Sequence, residues 1–149
     1  MQAADPHFAA RVAASFARQP AMQLIGATLD AVEAGRVVIG LAHRPDIAQQ
    51  HGFVHAGIVS TALDSACGYA ASSLMPAEAG VLTIEFKVNL LAPAQGPRFR
   101  MEGQVVKAGR TISVVEGRAV QVAADGTEKL VATMTATVMT LIGREGVRH

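Results

Sequence analysis

The sequence predicts an α+β domain in which a curved antiparallel sheet of about five to six strands wraps a long central helix. Three observations carry this expectation. The apolar segments run in the order helix, two strands, long helix, four strands. The long helical segment, His55 to Ser73, is built mostly of Ala, Gly, Ser and Thr, so a sheet can approach it closely where larger side chains would hold it away. The remaining segments are β-branched and separated by turn residues. No internal repeat or linker interrupts the 149 residues, so one domain over 1–149 is expected.

Asp5-Pro6 followed by His7 to Gln19 reads as a short helix, with Asp5 as cap and Pro6 in the first helical position. Phe8, Val12 and Phe16 form its apolar stripe, and Pro20 is expected to stop it. Ala27 to Glu33 and Arg36 to His43 read as two strands joined at Ala34-Gly35, followed by a polar connector from Arg44 to Gln50. In the principal helix, Val59, Ala62, Leu63, Ala66 and Ala70 share one face. Gly57 and Gly68 weaken that helix by about 1 kcal/mol each relative to Ala, which implies close packing, ligand approach or a helix held by tertiary contacts. Val81 to Leu91, Phe99 to Lys107, Thr111 to Ala123 and Lys129 to Leu141 read as the remaining strands. The third and fourth are joined at Ala124-Asp125-Gly126, a hairpin signal. Gly143 to His149 reads as a frayed tail.

Half the residues are apolar and the net charge is +1, with no basic block to suggest nucleic acid or an anionic membrane surface. Aromatic content is 4% and Trp is absent, which disfavours base-stacking platforms. The lone Cys67 excludes an internal disulfide and a multi-Cys zinc site, and reads as a small core residue. Met1 to Phe8 lacks a signal-peptide layout and no apolar run approaches the ~20 residues of a membrane span, so a cytoplasmic protein is expected.

Asp64 is the only Asp, Glu, Lys or Arg between Asp46 and Glu78. A carboxylate in such apolar surroundings costs free energy unless it is paired, hydrogen-bonded or reachable by solvent. At about 100° per residue, Asp64 points almost opposite the Val59-Ala62-Ala66 stripe, with Gly57, Ser60, Thr61 and Gly68 as its neighbours. It is either the solvent side of an amphipathic helix or a functional carboxylate on a face that leaves a substrate room. The segment Gly52 to Gly57 leads into the helix N-terminus, where free N–H groups can hold a carbonyl oxygen as it gains charge. His51 and His55 are four apart, but His51 precedes the Gly52 turn and no third ligand is evident. Hydrogen bonding by His55 at the helix start is therefore favoured over a metal site. Lys107-Ala-Gly109-Arg110 is either an ordinary solvated turn or a phosphate contact at the mouth of a site. Walker, Rossmann and Gly-x-Ser-x-Gly patterns are absent.

Gln49-Gln-His-Gly-Phe-Val-His55-Ala-Gly-Ile-Val-Ser-Thr-Ala-Leu-Asp64 resembles the signature of the PaaI-type hotdog thioesterases, an acidic residue nine positions after the His of a His-Gly-Gly. Leu82 to Ala94 resembles that family's first strand after the helix, and Val105 to Arg110 its next strand and turn. The resemblance spans about Gly26 to Leu141 and implies the hotdog fold, a curved antiparallel sheet around a helix, paired into homodimers or homotetramers with sites at the subunit interface. It implies hydrolysis of an acyl-CoA thioester without a cofactor or metal. Asp64 would serve as nucleophile or general base, with the backbone N–H groups at Ala56 and Gly57 as oxyanion donors. Thr83 would orient the water from the partner subunit, Gln49 would help position the substrate, and Lys107, Gly109 and Arg110 would meet CoA phosphates. Ala56 stands where the pattern has its first glycine, and its donor survives if φ there is negative. Gln49 stands where Asn is usual. Two alternatives stay open: a non-catalytic acyl-CoA-binding module, and a hotdog hydratase or dehydratase pairing His55 with Asp64.

Overall fold

Six strands form one antiparallel sheet in the order β1-β2-β4-β5-β6-β3. A computed structural model describes residues 1–144 and 146, so most of the expected tail lies outside the described residues. The elements run α1 (Phe8–Ala17), α2 (Pro20–Ile25), β1 (Thr28–Glu33), β2 (Arg36–Ala42), α3 (Ala56–Ser72), β3 (Gly80–Leu90), β4 (Arg98–Lys107), β5 (Ile112–Val122) and β6 (Glu128–Leu141). β3 follows α3 in sequence yet lies at the far edge, so α3 crosses the sheet and packs against β2 through β6. This is the hotdog arrangement expected from the sequence.

The helix can lie on the sheet because two glycines meet beneath it. Gly103 of β4 and Gly117 of β5 are register partners. A Cβ on Gly103 would sit 2.4 Å from the Ala66 carbonyl oxygen, and one on Gly117 would meet Cys67 Sγ and Leu63 Cγ at 3.0 Å. Leu63, Ala66 and Cys67 are fully buried there, with Ile39, Met101 and Val115 from the sheet. Each large side chain so buried contributes roughly 1.5–3 kcal/mol.

The N-terminal region departs from expectation. Pro20 begins α2, because a proline at the first helical position loses no hydrogen bond, and Gly26 closes the turn at φ 71°. α1 begins at Phe8 without a side-chain cap. Asp5 instead accepts from the His7 N–H (2.8 Å) and from Arg11 Nε (2.9 Å). Arg11 also donates to the carbonyls of Ser72 (3.1 Å) and Met75 (3.0 Å), which ties α1 to the end of α3. Among the described residues no helix is long and apolar enough to cross a membrane.

Candidate active site

His55 is the N-cap of α3, with φ −60° and ψ 136°, and its Nδ1 accepts from the Gly57 N–H at 2.9 Å. A ring nitrogen that accepts carries no proton, so the neutral ring holds its proton on Nε2. The Gly57 N–H of the expected oxyanion pair is thus engaged by the His55 ring in this structure. The Ala56 N–H makes no hydrogen bond among the described residues. Among the described residues no non-glycine has positive φ, so Ala in place of Gly keeps that donor.

The loop before α3 holds its shape through backbone bonds. Gln49 N–H donates to Phe53 O (2.8 Å), Gly52 N–H to Gln49 O (2.9 Å) and His55 N–H to Ile47 O (3.0 Å), with Gly52 at φ 86°. Gln49 Oε1 accepts from the His51 N–H, which leaves the Gln49 side-chain NH₂ as a donor without a partner among the described residues. Gln49, His55 and Ala56 line a cavity of about 580 Å³ that Leu90, Leu91 and Val59 also wall.

Asp64 lies in a different cavity, of about 280 Å³, with Thr83, Ser65, Gly68, Tyr69 and Gln19. Its Oδ1 is buried and has no hydrogen-bond partner among the described residues. Burial raises its pKa above the ordinary carboxylate value, and a hydrogen bond with the Thr83 side chain offsets part of the rise. Thr83 lines the same cavity as the Asp64 of its own chain. Thr83 shares its face of β3 with Val81 by simple alternation, and a β-bulge follows it: Thr83 pairs with Val138 and Glu85 with Thr137, leaving Ile84 without a register partner. The extra residue shifts which side chains face the helix, so Val81 and Val88 both pack on the core despite their odd separation.

Gly109 and Arg110 line a third cavity, of about 250 Å³, with Leu74 and Met75 near the end of α3. Lys107 is exposed and lies outside that cavity. Among the large side chains near these cavities, Tyr69 lines the Asp64 cavity, Leu90 the larger one and Met75 the third. Phe86 lines none of them. Gln19 was not legible as a site residue, since it lies 45 positions before Asp64 (64 − 19) at a helix end and reaches the cavity only through tertiary packing. Among the described residues no cluster of three or more His, Cys, Asp or Glu could hold a metal.

Asp64 and Ala56 are eight residues apart on one helix, about 12 Å along its axis. One thioester carbonyl cannot touch both in a single chain. His55 is one residue further, so the single chain does not form the His–carboxylate pair of a hydratase either.

The thioesterase superfamily model matches residues 51–123. A thioesterase family protein from Silicibacter pomeroyi of known crystal structure is 56% identical, with 91% of this chain and 99% of that one covered and a TM-score of 0.89. The Escherichia coli PaaI protein of the phenylacetic acid degradation operon shares the fold at 17% identity and a TM-score of 0.79, with 95% of each chain covered. A protein of Saccharolobus solfataricus named as a candidate esterase is 35% identical over 57% of this chain. The chain spans about 60% of the length of that relative.

Proposed function

The chain belongs to the thioesterase superfamily, and on that premise we propose that it hydrolyses an acyl-CoA thioester to the free acid and CoA, with Asp64 as the catalytic carboxylate. The observation that carries this reading is the Asp64 Oδ1, buried without a partner beside a cavity. Leaving a buried acceptor unsatisfied costs ~1–3 kcal/mol, more for a charged group, and burial also raises basicity. Folding alone gives no reason to keep such a group.

Acting as a general base, Asp64 takes a proton from water as the oxygen adds to the thioester carbonyl. The oxyanion accepts from the Ala56 N–H and the Gln49 NH₂. Collapse breaks the C–S bond, and the thiolate leaves with the proton from Asp64. Acting as a nucleophile, Asp64 would instead form an anhydride that water opens, with the same donors.

Both routes need Asp64 and Ala56 together, which argues for two copies of the chain. β3 lies at the edge of the sheet, with no strand on its outer side among the described residues, and exposes Leu82, Ile84, Phe86 and Leu90 at 43–55%. Such an edge invites pairing with another strand. Antiparallel pairing of two β3 strands about a two-fold axis between Phe86 and Lys87 sets Thr83 of one copy opposite Leu90 of the other. The Asp64–Thr83 cavity then meets the other copy's Gln49–Ala56–Leu90 cavity. A homodimer is the minimal active unit, and a homotetramer would pair two of them. Lys107 and Arg110, free of ion pairs among the described residues, are available to CoA phosphates, with Gly109 giving the turn its close approach. A cytoplasmic location goes with such a substrate.

Thiol release from a panel of acyl-CoAs tests the reading. Turnover is expected for at least one acyl group, with the free acid as co-product. Binding without thiol release would leave a non-catalytic acyl-CoA module in its place. Addition of water to an enoyl-CoA without thiol release would make it a hydratase.

A further inference from the structure

Gly68 sits mid-helix, one turn (about 6 Å) beyond Asp64. A glycine there weakens the helix, and close packing does not account for it. A Cβ on Gly68 would meet nothing within 4 Å, whereas those on Gly103 and Gly117 would collide with α3. The space left by the missing side chain belongs to the Asp64 cavity, whose wall includes Gly68. At about 280 Å³ the cavity lies just below the range of about 300–1,000 Å³ that holds drug-sized ligands.

Its wall is also polar in one place. The Tyr69 hydroxyl donates to Gln19 Oε1 at 3.3 Å and lies 3.3 Å from Ser15 Oγ. With Oε1 engaged, the Gln19 amide is fixed in orientation. Its NH₂ makes no hydrogen bond among the described residues. Gln19 stands between α1 and α2, so the junction of the two N-terminal helices contributes one wall residue to the cavity that holds the candidate carboxylate.

We propose that Gly68 and Gln19 determine acyl specificity: the cavity admits a short acyl group bearing a hydroxyl or carbonyl oxygen at its far end, which the Gln19 NH₂ recognises. This rests on Asp64 acting on the thioester. A short chain fits the volume, Gly68 supplies the width, and the polar end accepts the hydrogen bond. A long unsubstituted chain would meet the α1–α2 junction at Gln19 and offer its amide no acceptor.

The test measures kcat/KM for butanoyl-, 4-hydroxybutanoyl- and octanoyl-CoA with the wild type, Gly68→Ala and Gln19→Leu. The wild type is expected to prefer 4-hydroxybutanoyl-CoA over butanoyl-CoA by about 2–10-fold, the effect of one hydrogen bond, and both over octanoyl-CoA. Gln19→Leu should erase the first preference. Gly68→Ala should lower the octanoyl-to-butanoyl ratio at least about 10-fold, the lower end of the effect of one carbon in a fitted pocket. A structural role for either residue would scale all three substrates alike. Ratios unchanged in the variants, with the wild type active, would overturn this inference alone. A wild type that releases thiol from none of a wider acyl-CoA panel would overturn it together with the hydrolase reading.

Discussion

The two faces of α3 use small residues for opposite ends. On the sheet side, Leu63, Ala66 and Cys67 are fully buried against Gly103 and Gly117, where an added methyl group has no room. On the other side, Asp64, Ser65 and Gly68 border a cavity, and the Cβ missing from Gly68 would touch nothing. One set of glycines lets backbone meet backbone. The other leaves space for a molecule outside the chain. The same residue type thus marks packing in one place and binding in another, and only the surrounding distances tell them apart.

The largest break in this comparison comes from Asp64→Asn. Turnover of acyl-CoA should fall roughly 10²–10⁴-fold, measured as kcat/KM. Stability should not fall. Because burial raises the folded-state pKa of Asp64 above its unfolded value, the folded state holds this proton more tightly. Its contribution to stability therefore declines as pH rises from the ordinary carboxylate range through the raised pKa. The amide variant removes that loss, so its melting temperature at pH 7 should equal or exceed that of the wild type. The gain should vanish below the ordinary carboxylate pKa.

On the sheet face, Gly103→Ala should destabilise by ~1–3 kcal/mol or more, since the Cβ meets the Ala66 backbone, which cannot swing aside. Gly117→Ala meets side chains that can shift and should cost less. At roughly 2–4 °C per kcal/mol for a chain of this size, thermal melts resolve the difference. On the cavity face, Gly68→Ala should do the opposite and raise stability by up to about 1 kcal/mol, because it adds helix propensity without a clash.

Cys67 gives a smaller test of how closed the sheet face is. Burial, with the nearby Asp64 charge adding to it, pushes its thiol up to about 12. It should resist a thiol reagent at pH 8 in the folded protein and react at once in denaturant. Rapid labelling of the native protein would mean that α3 lifts from the sheet.

Much of this was legible in the chain. The small-residue helix, the six strands and the isolated Asp64 follow from patterns within a few residues of one another, where 3.6- and 2-residue periods speak directly. Pro20 misled because a proline ends one helix and begins another by the same local chemistry, and only the left-handed Gly26, just past the end of the six-residue α2, reveals that helix. The pairing of Gly103 with Gly117, the bulge after Thr83 and the contact of Gln19 with Tyr69 depend on register and tertiary packing, which no local period encodes. The helical wheel placed Asp64 on the right face but could not show that the donors at Ala56 open into a different cavity.

That separation supplies the most direct test of the account, which holds that a working site joins Asp64 of one copy to the Ala56 N–H of another. Ala56 is the first residue of α3 and follows His55 at φ −60°, ψ 136°, a conformation that suits the residue before a proline. Ala56→Pro therefore deletes the donor while leaving the helix start intact. Ala56→Pro and Asp64→Asn proteins should each be nearly inactive. When they are mixed and their subunits exchanged, half the dimers are mixed and each carries one intact site, so activity should recover to about a quarter of the wild-type rate. Activity that stays at the level of the separate variants after verified exchange, or an Ala56→Pro protein with full turnover, would contradict the account.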